Sequence, residues 1–148
     1  MSYPNYGSSA YKAISVNTAS PTKLVVMLYQ GAIRFLKQAQ EDIRNKDFAQ
    51  KSQSVDRAVA IIQHLQGTLD MEKGGKISLD LDRLYTYVTS RIFDGSAKLD
   101  LRAFEEATEL LTTLLSGWEE IARKEQEHSV PADLLATAPA GGRFELHA

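Results

Sequence analysis

Between residues 20 and 45 the chain carries more apolar side chains than a single face of a surface helix can use. Ser20 is a favoured N-cap, because its hydroxyl can accept from an orphan backbone N–H of the first turn. Pro21 follows at the first helical position, where a missing N–H and a fixed φ cost nothing. At the helical step of about 100° per residue, Leu24, Phe35, Leu28, Ala39, Ala32, Val25, Leu36, Tyr29, Ile33 and Val26 sweep continuously through roughly 200° of arc, with Met27 just beyond the edge. A bundle helix needs roughly 100° or a little more to face one core. The surplus requires a second partner, inside the chain or outside it.

The same periodicity returns three times. A second helix opens after the N-cap Asp47 and presents Phe48, Val55, Ala58, Val59, Ile62, Leu65 and Leu69 on one face, with Gly74-Gly75 marking its end. A third, over residues 77 to 98, aligns Ile77, Leu81, Leu84, Tyr85, Val88 and Ile92. Asp100 caps a fourth, whose apolar face is Phe104, Ala107, Leu111, Leu114, Leu115, Trp118, Ile121 and Ala122. No stretch shows the alternation of a strand, and the connections are short, so neighbouring helices are expected to run antiparallel. The expected fold is all-α: an antiparallel four-helix bundle over residues 20–128. For most of these apolar positions a place in its core is a sufficient role. Residues 1–19 carry Tyr3, Tyr6, Tyr11, Ile14 and Val16, too apolar for an indifferent tail and too irregular for a helix. They are expected to form an extended N-terminal segment packing on the bundle. Residues 129–148, with Pro131, Pro139, Gly141-Gly142 and many alanines, are expected to form a disordered tail.

Composition narrows the function. A chain of 148 residues suits one domain. A net charge of −2, from 17 basic and 19 acidic residues well mixed along the chain, argues against a nucleic-acid surface. The lack of cysteine removes disulfides and thiol catalysis, weakens a zinc site and fits a reducing cytoplasm. No apolar run approaches the roughly 18 residues of a membrane span. The first ten residues have neither the basic start nor the apolar core of a signal peptide, so a cytoplasmic protein without membrane insertion is expected. Glu125-x-x-His128 has the spacing used by di-iron bundles, but such sites need two of these pairs and two more inward glutamates. His64, within His64-Leu65-Gln66-Gly67-Thr68, invites comparison with histidine phosphotransfer bundles. It departs from their Leu-Lys-Gly run at Gln66 and in the position of Gly67. His147 suggests no role. Without a nucleophile elbow, phosphate loop or dinucleotide fingerprint, no catalytic, cofactor or metal site is expected.

Three groups of residues, in order, resemble the flagellar export chaperone FliS family. The first comprises Ala10-Tyr11, Ser15-Val16, Thr18-Ala19-Ser20-Pro21, Leu24, Met27-Leu28-Tyr29 and Gly31-Ala32. The second comprises Asp70-x-Glu72-Lys73-Gly74-Gly75-x-Ile77 and Leu81-x-x-Leu84-Tyr85-x-Tyr87. The third is Trp118-Glu119-x-Ile121. Thr22 and Gln30 stand where the family often has acidic residues, and Val88-Thr89-Ser90-Arg91 replaces a typical Met-x-Arg-Arg run. The resemblance covers residues 10–122 and does not extend to the tail.

The resemblance implies a non-enzymatic cytosolic chaperone without cofactors. It would bind the disordered C-terminal region of flagellin, one to one as a monomer, block premature polymerisation and keep the cargo competent for type III export. Apolar side chains of the cargo would enter grooves between bundle helices. The wide arc of the first helix would supply Leu24, Met27, Leu28, Tyr29, Ala32 and Ile33 to such a groove. In the family the N-terminal segment can lie over part of the cargo site, which would give Tyr6, Tyr11, Ile14 and Val16 a binding or capping role. The export gate and a co-chaperone are further partners that the resemblance leaves room for. Two alternatives stand beside this reading: a phosphotransfer bundle signalling through His64, and a FliS-like chaperone for another secreted helical protein.

Overall fold

The computed structural model describes residues 20–128 as four helices: α1 (Pro21–Arg44), α2 (Phe48–Gly67), α3 (Met71–Lys98) and α4 (Leu101–His128). The expected N-terminal segment and tail lie outside the described residues. Each helix start is held by a side chain that the sequence places there. The Ser20 hydroxyl accepts from the Lys23 amide at 3.2 Å, ahead of Pro21. Asp47 accepts from the Gln50 amide at 3.1 Å, Asp70 from the amides of Glu72 and Lys73 at 3.1 and 3.0 Å, and Asp100 from the Arg102 amide at 3.0 Å. A carboxylate in these positions satisfies orphan donors and also faces the positive end of the helix dipole.

The α2–α3 corner differs from the expectation. Helix α2 ends at Gly67, not at Gly74-Gly75, because Thr68 closes it: its amide bonds to the His64 and Leu65 carbonyls and its hydroxyl donates to the Leu65 carbonyl at 2.8 Å. The chain re-enters a helix at Met71 and breaks at Gly75, whose φ of 52° and ψ of −126° lie outside helical space. That conformation is open to glycine and closed to most other residues. The first turn of α3 is therefore a separate unit, joined to the rest by Ser78, whose hydroxyl reaches back to the Asp70 carbonyl at 2.9 Å. A Cβ at Gly74 would collide with that serine. The Asp-x-Glu-Lys-Gly-Gly run is thus a corner: a cap, a turn that must leave room for Ser78, and a break.

With connections confined to residues 45–47, 68–70 and 99–100, sequential helices run antiparallel. Helix α1 packs on α2 and α4, and α3 packs on the same two, so α1 and α3 lie across a diagonal. Tyr29, Ala32, Leu36 and Ala39 meet Val55, Ala58, Ile62, Val88, Ile92, Phe104, Ala107 and Leu111 in one core. The diagonal is bridged by side chains: the Tyr29 and Tyr85 hydroxyls, both buried, share one hydrogen bond at 2.6 Å. Gly31 lets α1 and α2 approach, since a Cβ there would meet Ile61 at 3.3 Å. Phe48, Ile77 and Ile121, read from periodicity as core-facing, are 44%, 71% and 45% exposed. They sit near helix ends, where a neighbour no longer covers the stripe.

Candidate functional site

The surplus apolar arc of α1 finds its second partner inside the chain. One edge is covered by α2, through Gly31 against Ile61 and the buried Asp42, which accepts from Ser54 at 2.9 Å and from Gln38 at 2.8 Å. The other edge is covered by α4, through Gln40 to Thr108 at 3.4 Å and Thr22 to Glu125 at 3.0 Å. Tyr29 and Ala32 are consequently core residues with no accessible surface, and Ile33 is nearly as deep. Of the α1 residues expected to meet a ligand, these three offer little or none of their own side chain. Leu24, Met27 and Leu28 are half-buried, in the first two turns of the helix. Tyr6, Tyr11, Ile14 and Val16 lie outside the described residues.

Open apolar surface lies elsewhere. In α4 the buried positions are Ala103, Phe104, Ala107 and Leu111, and nothing beyond Leu111 is buried. In α3, Ser78 is the sole buried residue before Tyr85. At the far end the two helices are locked together. A Cβ on Gly95 would stand 2.8 Å from the Ala103 Cβ and 3.1 Å from the Asp100 carbonyl oxygen, so small residues allow close contact there. Arg91 and Tyr87 both bond the Glu106 carboxylate, at 2.8 and 2.7 Å, and together hold its proton affinity below the usual carboxylate range. The register set by these pairs brings the Ile77–Leu84 part of α3 alongside the Leu114–Ile121 part of α4. There the side chains are large and half-exposed or exposed: Ile77, Leu81 and Leu84 on one side, Leu114, Trp118 and Ile121 on the other. The α3–α4 seam is therefore closed at the Leu99 end and open at the end where α1 begins. Sequence periodicity assigned all six of these residues to the core. The usable signal was the gradient from Gly95, Ala103 and Ala107 to Leu84, Leu114 and Trp118.

Polar groups behind the open seam are satisfied. The Trp118 ring packs on Tyr29, with centroids 6.5 Å apart, and Tyr29 in turn meets Tyr85. Burial raises the pKa of both tyrosine hydroxyls above the ordinary value. The arrangement offers apolar area and one indole edge, which suits binding. His64 lies on the exposed face of α2 in its last turn, and Glu125 is engaged by Thr22. Among the described residues no group of three or more His, Asp or Glu side chains is placed to hold a metal ion. No helix among them is long and apolar enough to cross a membrane.

The family model for the flagellar protein FliS matches residues 3–125. The flagellar secretion chaperone FliS of Salmonella typhimurium is 34% identical over 127 residues, spanning 82% of this chain and 94% of that protein. That of Campylobacter jejuni is 37% identical over 119 residues, spanning 78% and 93%. That of Bacillus subtilis is 30% identical over 119 residues, spanning 80% and 88%. On a match that takes in the bundle to within three residues of its end, the chain belongs to the FliS family of flagellar proteins.

Proposed function

We propose that this chain is a cytosolic flagellar secretion chaperone that binds the C-terminal region of flagellin, holding it back from polymerisation and in a state fit for export. The observation that carries the reading is the open seam. Ile77, Leu81 and Leu84 on α3 and Leu114, Trp118 and Ile121 on α4 each follow i, i+4, i+7 spacing, so two apolar rows line the open seam, which serves as the groove in this reading. An amphipathic cargo helix presents the same spacing in return. Leu24, Met27 and Leu28 extend the surface at the same end of the bundle. Tyr29, Ala32 and Ile33 act beneath it as a rigid floor, and Tyr6, Tyr11, Ile14 and Val16 contribute from the N-terminal segment as contacts or as a cover. Burial of apolar area drives the association, with no nucleotide required. Ordering a disordered cargo costs part of the gross interaction energy, which calls for a long contact. The export gate and a co-chaperone are further partners in this reading.

Calorimetric titration with the C-terminal segment of flagellin tests it. The expected result is one-to-one binding with a negative heat-capacity change, the mark of buried apolar surface. Absence of binding at tens of micromolar would overturn the proposal.

A further inference from the structure

On the opposite side of the molecule, α1 and α2 present a cluster outside the open seam, built on Phe35, which packs against the edge of the core. Phe35 is half-buried between the two helices, and two guanidiniums lie over its ring: Arg34 with its carbon 5.5 Å from the ring centroid, and Arg57 of α2 at 5.8 Å. The close approach permitted by Gly31 against Ile61 is what brings α2 near enough for this. Both arginines are exposed, and among the described residues neither has an ion pair or hydrogen bond, whereas Arg44, Arg91 and Arg123 each hold a carboxylate. Both acidic residues of α1 are already engaged. Glu41 pairs with Arg44 at 3.2 Å, and Asp42 is buried against Ser54 and Gln38. A guanidinium held near an aromatic ring by cation–π attraction still has N–H donors for a partner, with part of its rotamer entropy already lost. Two such guanidiniums on one aromatic platform, in a chain with net charge −2, make a local site for carboxylates.

We propose that the Arg34–Phe35–Arg57 cluster is a docking surface for an acidic helical segment of a partner protein. Such a segment would carry two carboxylates one turn apart around an apolar residue. Each guanidinium edge would take one carboxylate, bidentately where geometry allows, and the apolar residue would cover the exposed part of Phe35. The surface is separate from the flagellin seam and does not depend on it.

The probe is a capped helical peptide with glutamates at i and i+4 around a leucine, titrated against the full chain at low salt. Binding should weaken at least tenfold in Arg34→Glu/Arg57→Glu and should also weaken as salt rises from about 50 to 500 mM, since exposed charge pairs are screened. The same double variant should gain affinity for the matching lysine peptide. Thermal unfolding and flagellin titration serve as controls and should stay near the parent values. Equal binding of the acidic peptide by parent and variant, no binding by the parent, or insensitivity to both charge reversal and salt would each overturn the proposal. Should the variant unfold, Arg57→Gln alone is the second test: its affinity must fall for the proposal to stand.

Discussion

The α1–α2 seam and the α3–α4 seam are made from the same kinds of residue and come out differently. The first is buried from Val26 to Asp42 along α1 and from Ser54 to Leu65 along α2, with Asp42 and Ser54 fastening it from inside. The second is fully buried from Gly95 and Ala103 to Tyr85 and Leu111, after which Leu81, Leu114 and Trp118 pack on the core only in part and Ile77 and Ile121 stand exposed. A continuous stripe of apolar residues is thus not a continuous core. What decides the outcome is where the small residues sit. Gly31 lies toward the middle of α1, whereas Gly95, Ala103 and Ala107 gather at one end of their seam.

Four measurements sharpen or break that contrast. The largest effect belongs to Phe104→Ala, in the closed part, which should lower stability by about 3–5 kcal/mol in urea unfolding. A loss below about 1 kcal/mol would mean the closed part is not tightly packed. The glycines come next. Gly95→Ala forces a Cβ against Ala103 and the Asp100 carbonyl and should cost about 1–3 kcal/mol, whereas Gly117→Ala, with open space around it, should gain roughly 0.5–1 kcal/mol from helix propensity. Equal effects at the two positions would erase the gradient along the α3–α4 seam.

The tyrosine bridge gives the third. Tyr29→Phe strands the buried Tyr85 hydroxyl and should cost about 1–3 kcal/mol, while Tyr29→Phe/Tyr85→Phe should recover much of that loss. The pH dependence has a definite sign. Burial raises both hydroxyl pKa values in the folded chain, while the unfolded chain ionises near about 10. Above that pH the folded form keeps protons that the unfolded form releases. The stability they contribute is therefore complete below about pH 10 and falls as pH rises beyond it. Parent stability should decline more steeply there than that of the double phenylalanine variant. The smallest effect on folding is Ile77→Ser, within about 0.5 kcal/mol of the parent because the side chain is 71% exposed. Its affinity for the flagellin segment should nevertheless fall. Unchanged affinity would remove Ile77 from the groove.

Local chemistry was legible in the sequence and long-range coverage was not. Ser20, Asp47 and Asp100 were readable as helix starts because a cap acts within three residues of itself. The end of α2 was misplaced because Gly74-Gly75 is the more conspicuous signal, while Thr68 stops the helix with one hydroxyl and Asp70 restarts it at once. Periodicity found the faces containing Tyr29, Val55, Tyr85 and Phe104. It could not tell Ile77 from Val88, since both lie on the same stripe and differ only in how far the neighbouring helix reaches. The reading of α1 shows the same limit. Its wide arc correctly called for two partners, but whether α4 or a ligand fills the second place depends on contacts, such as Thr22 to Glu125, spanning the length of the chain.

That last contact has a practical corollary. Because Thr22 touches Glu125, both routes out of the bundle leave from the end where the α3–α4 groove is open. A reporter domain joined directly at Ser20 or His128 is held at that end and hinders access to the groove, with linker length setting the interference. An insertion between Leu99 and Asp100 places the same domain at the other pole. Comparing the two fusions would turn the polarity of the bundle into a tool for attaching labels without masking the groove.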